Sequence, residues 1–479
     1  MKATLHQQLS IFQKTMPYGS VFLPGSEAYH TAIAVDNIRY CRASPAAVVK
    51  ALTEQDVIET VLFARLSGIG LTVKSGGHSA AGYCVDTNGI VLDLSSMCGV
   101  CIDTENMQAT IQGGSRWDHA YGLMEAGYML VGGQCGSVGV SGYILGGGVS
   151  AFSRCYGMAI DNLLEVTMIT AKGEKVTVGS GAADPVSRDL FWALRGGGGG
   201  NFGVVTETKV GLHRLRNADG VVVCGELTWN LPEQADAFNA MMQVWNSNTW
   251  PNELCGNGAW QYESCSSGRH HLLGQMQIIY NGTMGQCCKD IAPLLAFNPK
   301  VDLKSMHWSE WVYRIASSKV SSRVNRHHAS FILKQGAITP DLVDSISSLM
   351  QDARDRGLIR ASPMSECVII WDHIGGATTE YSACDTAFPW RQGVYVAAAT
   401  ALWADPSMEA PMVEWVNDAK AKLRTHALDG LAAYVNYIDP TLTDWEEAYY
   451  GGNYARLQKV KSQWDPTGVF RFKQGIQPV

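Results

Sequence analysis

The sequence predicts an α+β protein of more than one domain, and three observations carry that expectation. The chain has 479 residues, too many for one core when a domain holds about 150, and its 46% hydrophobic content can fill two or three. Segments of helical and of strand pattern are mixed along it. Its 50 glycines gather in a few dense blocks, which points to close ligand approach rather than low complexity.

Taken in order, Pro45 to Leu66 reads as a strand edge and then a helix, with Val48, Val49, Leu52, Val57, Val61 and Leu62 apolar and Gly68-Ile69-Gly70 as its stop. Leu71-Thr72-Val73, Ile90 to Leu94 and Ala109 to Gly113 read as strands, and Trp117 to Ala126 as a helix. A first domain is expected over residues 1–210. From Gly220 to Trp229 a different texture begins, with strands near 273–280 and 367–374 and helices near 233–245 and 340–355, which defines a second, substrate-binding domain over 211–430.

Composition excludes several partners. The formal charge is −7, with no cluster of lysine and arginine interleaved with aromatics, so neither nucleic acid nor an anionic membrane surface is favoured. No run of 18 apolar residues reads as a membrane span. The opening Met1 to Leu9 lacks an apolar stretch of signal-peptide length, so an intracellular protein acting on a small molecule is expected. Thirteen cysteines, an odd number, argue against a complete disulfide framework; Cys287-Cys288 reads as two thiols. Asn281-Gly282-Thr283 matches a glycosylation sequon by pattern alone.

Two motifs carry the chemistry. In Lys74-Ser75-Gly76-Gly77-His78-Ser79, small residues after a strand can turn their amides inward as an anion nest suited to a diphosphate. Cys135 follows His78 by 57 residues, in Gly132-Gly133-Gln134-Cys135-Gly136-Ser137-Val138-Gly139. Gly139 to Gly148 then reads as a second glycine-dense turn, holding Gly142, Gly146, Gly147 and Gly148, on whose bare backbone a planar ring can lie. It ends before Arg154, Tyr156-Gly157-Met158 and Asp161-Asn162.

These blocks, with Leu190 to Gly203 and the tail Tyr434-Val435-Asn436-Tyr437-Ile438-Asp439, Trp445, Tyr449-Tyr450-Gly451 and Asp465-Pro466, resemble the berberine bridge enzyme-like flavoproteins of the vanillyl-alcohol oxidase superfamily. The resemblance spans nearly the whole chain. It implies a two-lobed PCMH-type FAD-binding domain beside an α+β domain whose antiparallel sheet is covered by helices, with residues 431–479 returning to the first domain. It also implies FAD held bicovalently, by His78 at the 8α carbon and Cys135 at C6. The cradle would comprise Lys74, Ser75, Gly76, Gly77, His78, Ser79, Cys135, Val138, Gly139, Gly142, Gly146, Gly147, Gly148, Asn162 and Asn436, with no metal ligand assigned.

Oxidation needs a base to take a proton while hydride leaves to flavin N5. The resemblance places Tyr437 there, with Tyr434 as second choice. On 367–374, Asp372 and His373 point to opposite faces at period two, and family alignment turns Asp372 to the cavity; His373 is expected to be structural, although its ordinary pKa suits a base. Beyond the landmark Thr386 to Arg391, Ala397 and Ala399 replace polar residues of relatives, six and eight places past the arginine, which predicts an apolar substrate rather than a sugar. Val138 matches a position that tends to be valine in members whose reduced flavin reacts with oxygen. The expected activity is an FAD-dependent oxidase of a small, largely apolar molecule in secondary metabolism, giving hydrogen peroxide from O2, with oxidative cyclisation of the product as an open option. An oligosaccharide or alcohol oxidase and a non-redox cyclase or binding scaffold are the alternatives.

Overall fold

The computed structural model describes residues 4–125, 127–231, 233–264, 270–318, 324–361 and 363–479. It holds three main sheets. The first has four strands in the order Ser20–Phe22, Ala47–Lys50, Ile90–Asp93, Leu71–Lys74; the last three run parallel. Helix Glu54–Ser67 makes the crossover between 47–50 and 71–74. Thr53 and Asp56 close a capping box at its start, and Gly68, with φ +70°, ends it. Asp56 also accepts the amides of Tyr18, Gly19 and Leu52, so one buried carboxylate ties the edge strand to the helix.

The second sheet is antiparallel, in the order Val100–Asp103, Gln108–Gln112, Val204–Gly211, Leu163–Ile169, Lys175–Gly179. The end of the chain closes on these lobes: Phe470 bridges to Leu71, and buried Lys461 donates to Asp465 and to the carbonyls of Asn201 and Phe470.

The third sheet is wholly antiparallel and has seven strands, ordered Lys300–Met306, Val222–Leu231, His270–Tyr280, Leu254–Ser264, Ser365–His373, Gly393–Trp403, Asn325–Lys334. Helices Ala235–Ser247, Pro340–Asp355 and Glu409–Leu423 cover one face. Under them Trp229, Trp245, Trp260, Trp371, Trp403 and Trp415 are completely buried. On 365–373 every odd residue is buried and every even one only half-buried, so the even side is the open face. No described helix is long and apolar enough to cross a membrane.

Two local readings need correction, and a third position is explained. The helix expected from Trp117 to Ala126 runs only Trp117–Gly122, and Ala126 lies outside the described residues, as do Met1 to Ala3. The turn expected over Gly139 to Gly148 contains a helix, Val140–Leu145, because Val140 and Ile144 are apolar at helical spacing and Gly139 and Gly146 cap it, with Gly142 inside. The sequon asparagine, Asn281, is buried; its amide donates to the Tyr156 hydroxyl and its oxygen accepts the Arg216 amide, so a glycan has no access.

Buried charge joins the parts. Arg391, just before the 393–403 strand, makes two hydrogen bonds of 2.7 and 2.8 Å to Asp161, with both side chains almost fully buried, and a third to Thr386. Arg154 donates to the carbonyls of Ile374 and Trp250 and lies 2.9 Å from His373 Nε2. Replacing Asp161 with asparagine leaves a buried guanidinium short of its counter-charge; it is expected to destabilise the fold by about 3–5 kcal/mol and to lower the thermal midpoint by roughly 5 °C or more, read by calorimetry.

Candidate active site

The strand Leu71–Lys74 delivers the chain into the Ser75 to Ser79 turn beside the Cys135 loop. Two glycines meet there: a Cβ on Gly76 would stand 2.3 Å from the Gly139 nitrogen, and one on Gly139 would stand 2.4 Å from the Gly76 nitrogen. Only bare backbones can come so close. Ser75 and Ser141 pin the joint from both sides by donating to the same carbonyl, that of Gly113, at 2.7 and 3.1 Å.

That joint brings His78 and Cys135 together. His78 Nδ1 is 2.9 Å from the Gly76 carbonyl, and Nε2 is 3.0 Å from Ser137 Oγ, which lies 3.3 Å from Cys135 Sγ. Asp36 Oδ1 is 3.6 Å from Nε2. Burial by itself would push the Cys135 thiol up, but hydrogen bonds from His78 and Ser137, and the charge of His78, bring it down to about 7. Burial works to lower His78; the Cys135 bond and the Asp36 charge outweigh it and raise the imidazole above its usual value. Cys135 is exposed, and Gly142 nearby faces open space, so two nucleophilic atoms border a glycine-floored groove. Those residues fit a planar, electron-poor ring such as that of FAD, with Val138 half-buried beside them.

Several expected cradle residues are engaged elsewhere. Lys74 is buried, pairs with Asp93 at 3.1 Å and donates to the carbonyls of Ala32 and Ala34, so it braces the strand instead of meeting a phosphate. Ser79 accepts the Tyr83 amide. Asn162 donates to the carbonyls of Tyr156 and Met158 and closes their turn. Asn436 fills the place of a side chain at Gly146, whose Cβ would stand 2.0 Å from its Oδ1, and donates to the Tyr143 carbonyl. Gly77, Gly147 and Gly148 sit in the same turns with positive φ.

The open face of the large sheet meets this groove through the C-terminal segment. Tyr437 donates to Asp372 Oδ2 at 2.7 Å, and Ser330 donates to the carbonyls of Tyr434 and Tyr437. Burial, and then the charge of Asp372, hold the Tyr437 phenol well above its ordinary value. Tyr434 is placed otherwise than expected. Its buried hydroxyl accepts the amides of Gly148 and Val149 and the Asn436 side chain, which makes it a brace for the glycine turn rather than a second base. His373 lies on the helix-covered face, stacked on Tyr395 at 5.3 Å, and burial followed by the Arg154 charge holds it well below its usual range.

Register corrects the apolar-substrate argument. Asp372 pairs with Val396, and Ile370 with Ala398, so the even residues share the open face. Ala397 and Ala399 pair with Trp371 and Ile369 on the face beneath the helices, and no substrate reaches them. The open face continues on the neighbouring strands as a polar row that sequence reasoning missed. Asn257 donates to Gln277 at 3.3 Å and Gln261 to Gln275 at 2.7 Å, with Thr228 and Glu226 paired to those glutamines across the sheet. All six are at most half-buried by their surroundings, next to the half-buried apolar Val368, Ile370 and Ala259. Alternation at period two was the signal available, in Gln275-Met276-Gln277 and Asn257 to Gln261. Asp36 had no such signal, being a lone acid in a loop.

Comparison with known proteins agrees with this geometry. A FAD binding domain matches residues 45–179, and a berberine and berberine-like domain matches residues 433–477. The FAD-linked oxidoreductase YvdP of Bacillus subtilis is 29% identical over 96% of this chain and 98% of its own. The xylooligosaccharide oxidase of Thermothelomyces thermophilus is 28% identical over 91% of this chain and 88% of its own. The structure of berberine bridge enzyme from Eschscholzia californica superposes with a TM-score of 0.84 at 22% identity, covering 98% of this chain and 99% of that one.

The glycine joint yields a direct expectation. Gly76→Ala forces a methyl group into the Gly139 backbone and separates the two loops, so the purified variant should carry less than roughly a tenth of the wild-type flavin absorbance near 450 nm, since neither backbone can yield without breaking the turn.

Proposed function

Starting from a chain that belongs to the berberine bridge enzyme-like FAD-linked oxidoreductases, we propose that it oxidises a small molecule with an apolar core and an oxygenated flank, such as a glycoside. The carrying observation is the open face of the large sheet, where Asn257, whose Oδ1 accepts the His373 amide, stands beside the Asp372–Tyr437 pair, and Val368, Ile370 and Ala259 share the face with the Gln261, Gln275 and Gln277 amides. The apolar patch suits a ring or chain. The amides suit hydroxyl groups, whose loss on binding would otherwise leave buried polar groups unpaired. An oxygenated flank brings the alcohol and oligosaccharide alternative closer than the sequence alone suggested.

FAD, tied at its ring edge by His78 and Cys135, would supply a two-electron acceptor that O2 restores with release of hydrogen peroxide. Tyr437 and Asp372 move the proton. A substrate O–H placed against the Tyr437 oxygen hands its proton over as the Tyr437 proton passes along the 2.7 Å bond to Asp372. The phenol remains neutral at working pH because its own ionisation is held far up, so it conducts rather than stores the proton. Half-buried Val138 beside Cys135 leaves volume for O2 on the flavin side.

Anaerobic stopped-flow bleaching, followed by aerobic peroxide screens over paired glycosides and aglycones, tests the reading. Tyr437→Phe and Asp372→Asn should each slow flavin reduction by roughly 10²–10⁴-fold while leaving substrate dissociation constants within a few-fold. The wild-type rate should show no break near pH 10, where an ordinary phenol ionises. Substrates that bind without bleaching the flavin would instead mark a scaffold or non-redox cyclase. Joint replacement of Gln275 and Gln277 by leucine should raise KM for glycosides by roughly tenfold or more and leave aglycones unaffected; equal effects on both would remove the polar flank from the substrate site.

A further inference from the structure

One hydroxyl stands between the two anchoring side chains. Ser137 Oγ lies 3.0 Å from His78 Nε2 and 3.3 Å from Cys135 Sγ. The second imidazole nitrogen decides the direction of these bonds. His78 Nδ1 faces the Gly76 carbonyl at 2.9 Å, and a carbonyl only accepts, so Nδ1 carries the hydrogen and Nε2 of the neutral ring accepts. Ser137 then donates to Nε2, and the Cys135 thiol donates to Ser137. The order S–H, O–H, N is a path for one proton. Asp36 closes it at the far end: one carboxylate oxygen is 3.6 Å from Nε2, and the other is held at 2.8 Å by Arg326 from the 325–334 strand.

We propose that Ser137 is a positioning residue that relays the Cys135 proton to His78, with Asp36 balancing the imidazolium, and so readies the sulfur to bond FAD. This rests on the reading that the groove holds FAD, and the relay acts before either link forms. The proton leaves Sγ for Ser137 Oγ as the Ser137 proton passes to Nε2, giving a thiolate and an imidazolium with nothing gained or lost. In the bond that would follow, the sulfur electron pair would form C–S, and O2 would take the two electrons left on the flavin with two protons, one from the ring carbon and the one held on His78, and depart as hydrogen peroxide. The directions found for the two groups agree: the thiol is lowered to about 7 against its burial, and the imidazole is raised against its own. Among the described residues, Tyr437 stays neutral near the pair, and Arg326 shares the Asp36 carboxylate with His78, so Asp36 offsets the imidazolium only in part.

Full-length wild type, Ser137→Ala, Ser137→Thr and Asp36→Asn chains, purified at pH 7 with FAD present, would be denatured and digested, and the His78 and Cys135 peptides weighed separately. Wild type should carry flavin on both. Without the hydroxyl the thiol keeps the His78 contact but loses the Ser137 side-chain hydrogen bond and the path to Nε2, so it rises from about 7 and its thiolate share at pH 7 falls. Ser137→Ala should therefore keep flavin on His78 and form the Cys135 link more slowly, by roughly fivefold or more, with Asp36→Asn between it and wild type. Ser137→Thr, which keeps the hydroxyl, should match wild type within about twofold, and aerobic incubation of Ser137→Ala with FAD at about pH 9 should restore the Cys135 link. Wild-type linkage rates in Ser137→Ala at pH 7 would overturn the relay, as would a loss that neither threonine nor the higher pH repairs. Flavin on neither wild-type peptide would overturn the FAD reading itself.

Discussion

The contact between the Gly76 and Gly139 backbones is the constraint on which the site depends. A methyl group on either residue would stand less than 2.5 Å from the other's nitrogen, so the His78 turn and the Cys135 loop can be fastened only because neither residue has a side chain. Ser75 and Ser141 share the Gly113 carbonyl and hold the joint in register. Everything chemical about the anchors follows from it. Separated, Cys135 would be a thiol with a normal pKa and His78 a half-buried imidazole; joined, each shifts the other's protonation.

The large sheet supplies the second half of the site by having two unlike faces. Beneath the helices its residues are tryptophan, tyrosine and alanine, packed until Gly256, Gly258 and Gly274 are needed to admit Trp245, Trp371 and Phe238. The opposite face is thinly covered and mixes Asp372 with aliphatic residues and amides. A sheet so firmly backed on one side can present polar groups on the other without losing its shape. The same pleat that buries His373 and Ala397 exposes Asp372, one residue away.

Ion pairs and carbonyl clamps hold groove and sheet at a fixed distance. Asp161 with Arg391, Arg154 with Ile374 and Trp250, and Asp36 with Arg326 all run between segments far apart in sequence. The Asp161–Arg391 pair, buried on both sides, adds little net stability over apolar packing, but breaking it leaves a charge without solvent or partner, so it enforces geometry. The Tyr437–Asp372 hydrogen bond forms because Ser330, which donates to the Tyr434 and Tyr437 carbonyls and accepts the Tyr434 amide, sets the C-terminal segment on the sheet.

The sequence by itself determined which side chains could do chemistry and roughly where the elements lie. His78 and Cys135 stood out because glycine blocks are short-range signals, Tyr437 and Asp372 only through the resemblance to a family, and the strands near 273–280 and 367–374 because alternation is local too. Tertiary structure alone decided what each residue touches. Lys74, Asn162, Asn436 and Tyr434 look like ligand contacts in their motifs, yet their polar atoms are taken up by Asp93 and by backbone groups. Asp36 and Ser137 join the anchors from positions with no pattern of their own. Ala397 and Ala399 suggested an apolar cavity, yet register turns them beneath the helices and brings Asn257, Gln261, Gln275 and Gln277 to the open face. The physical reason is parity: a strand's alternation divides its residues into two sets, and only pairing with neighbours across the sheet decides which set meets the ligand.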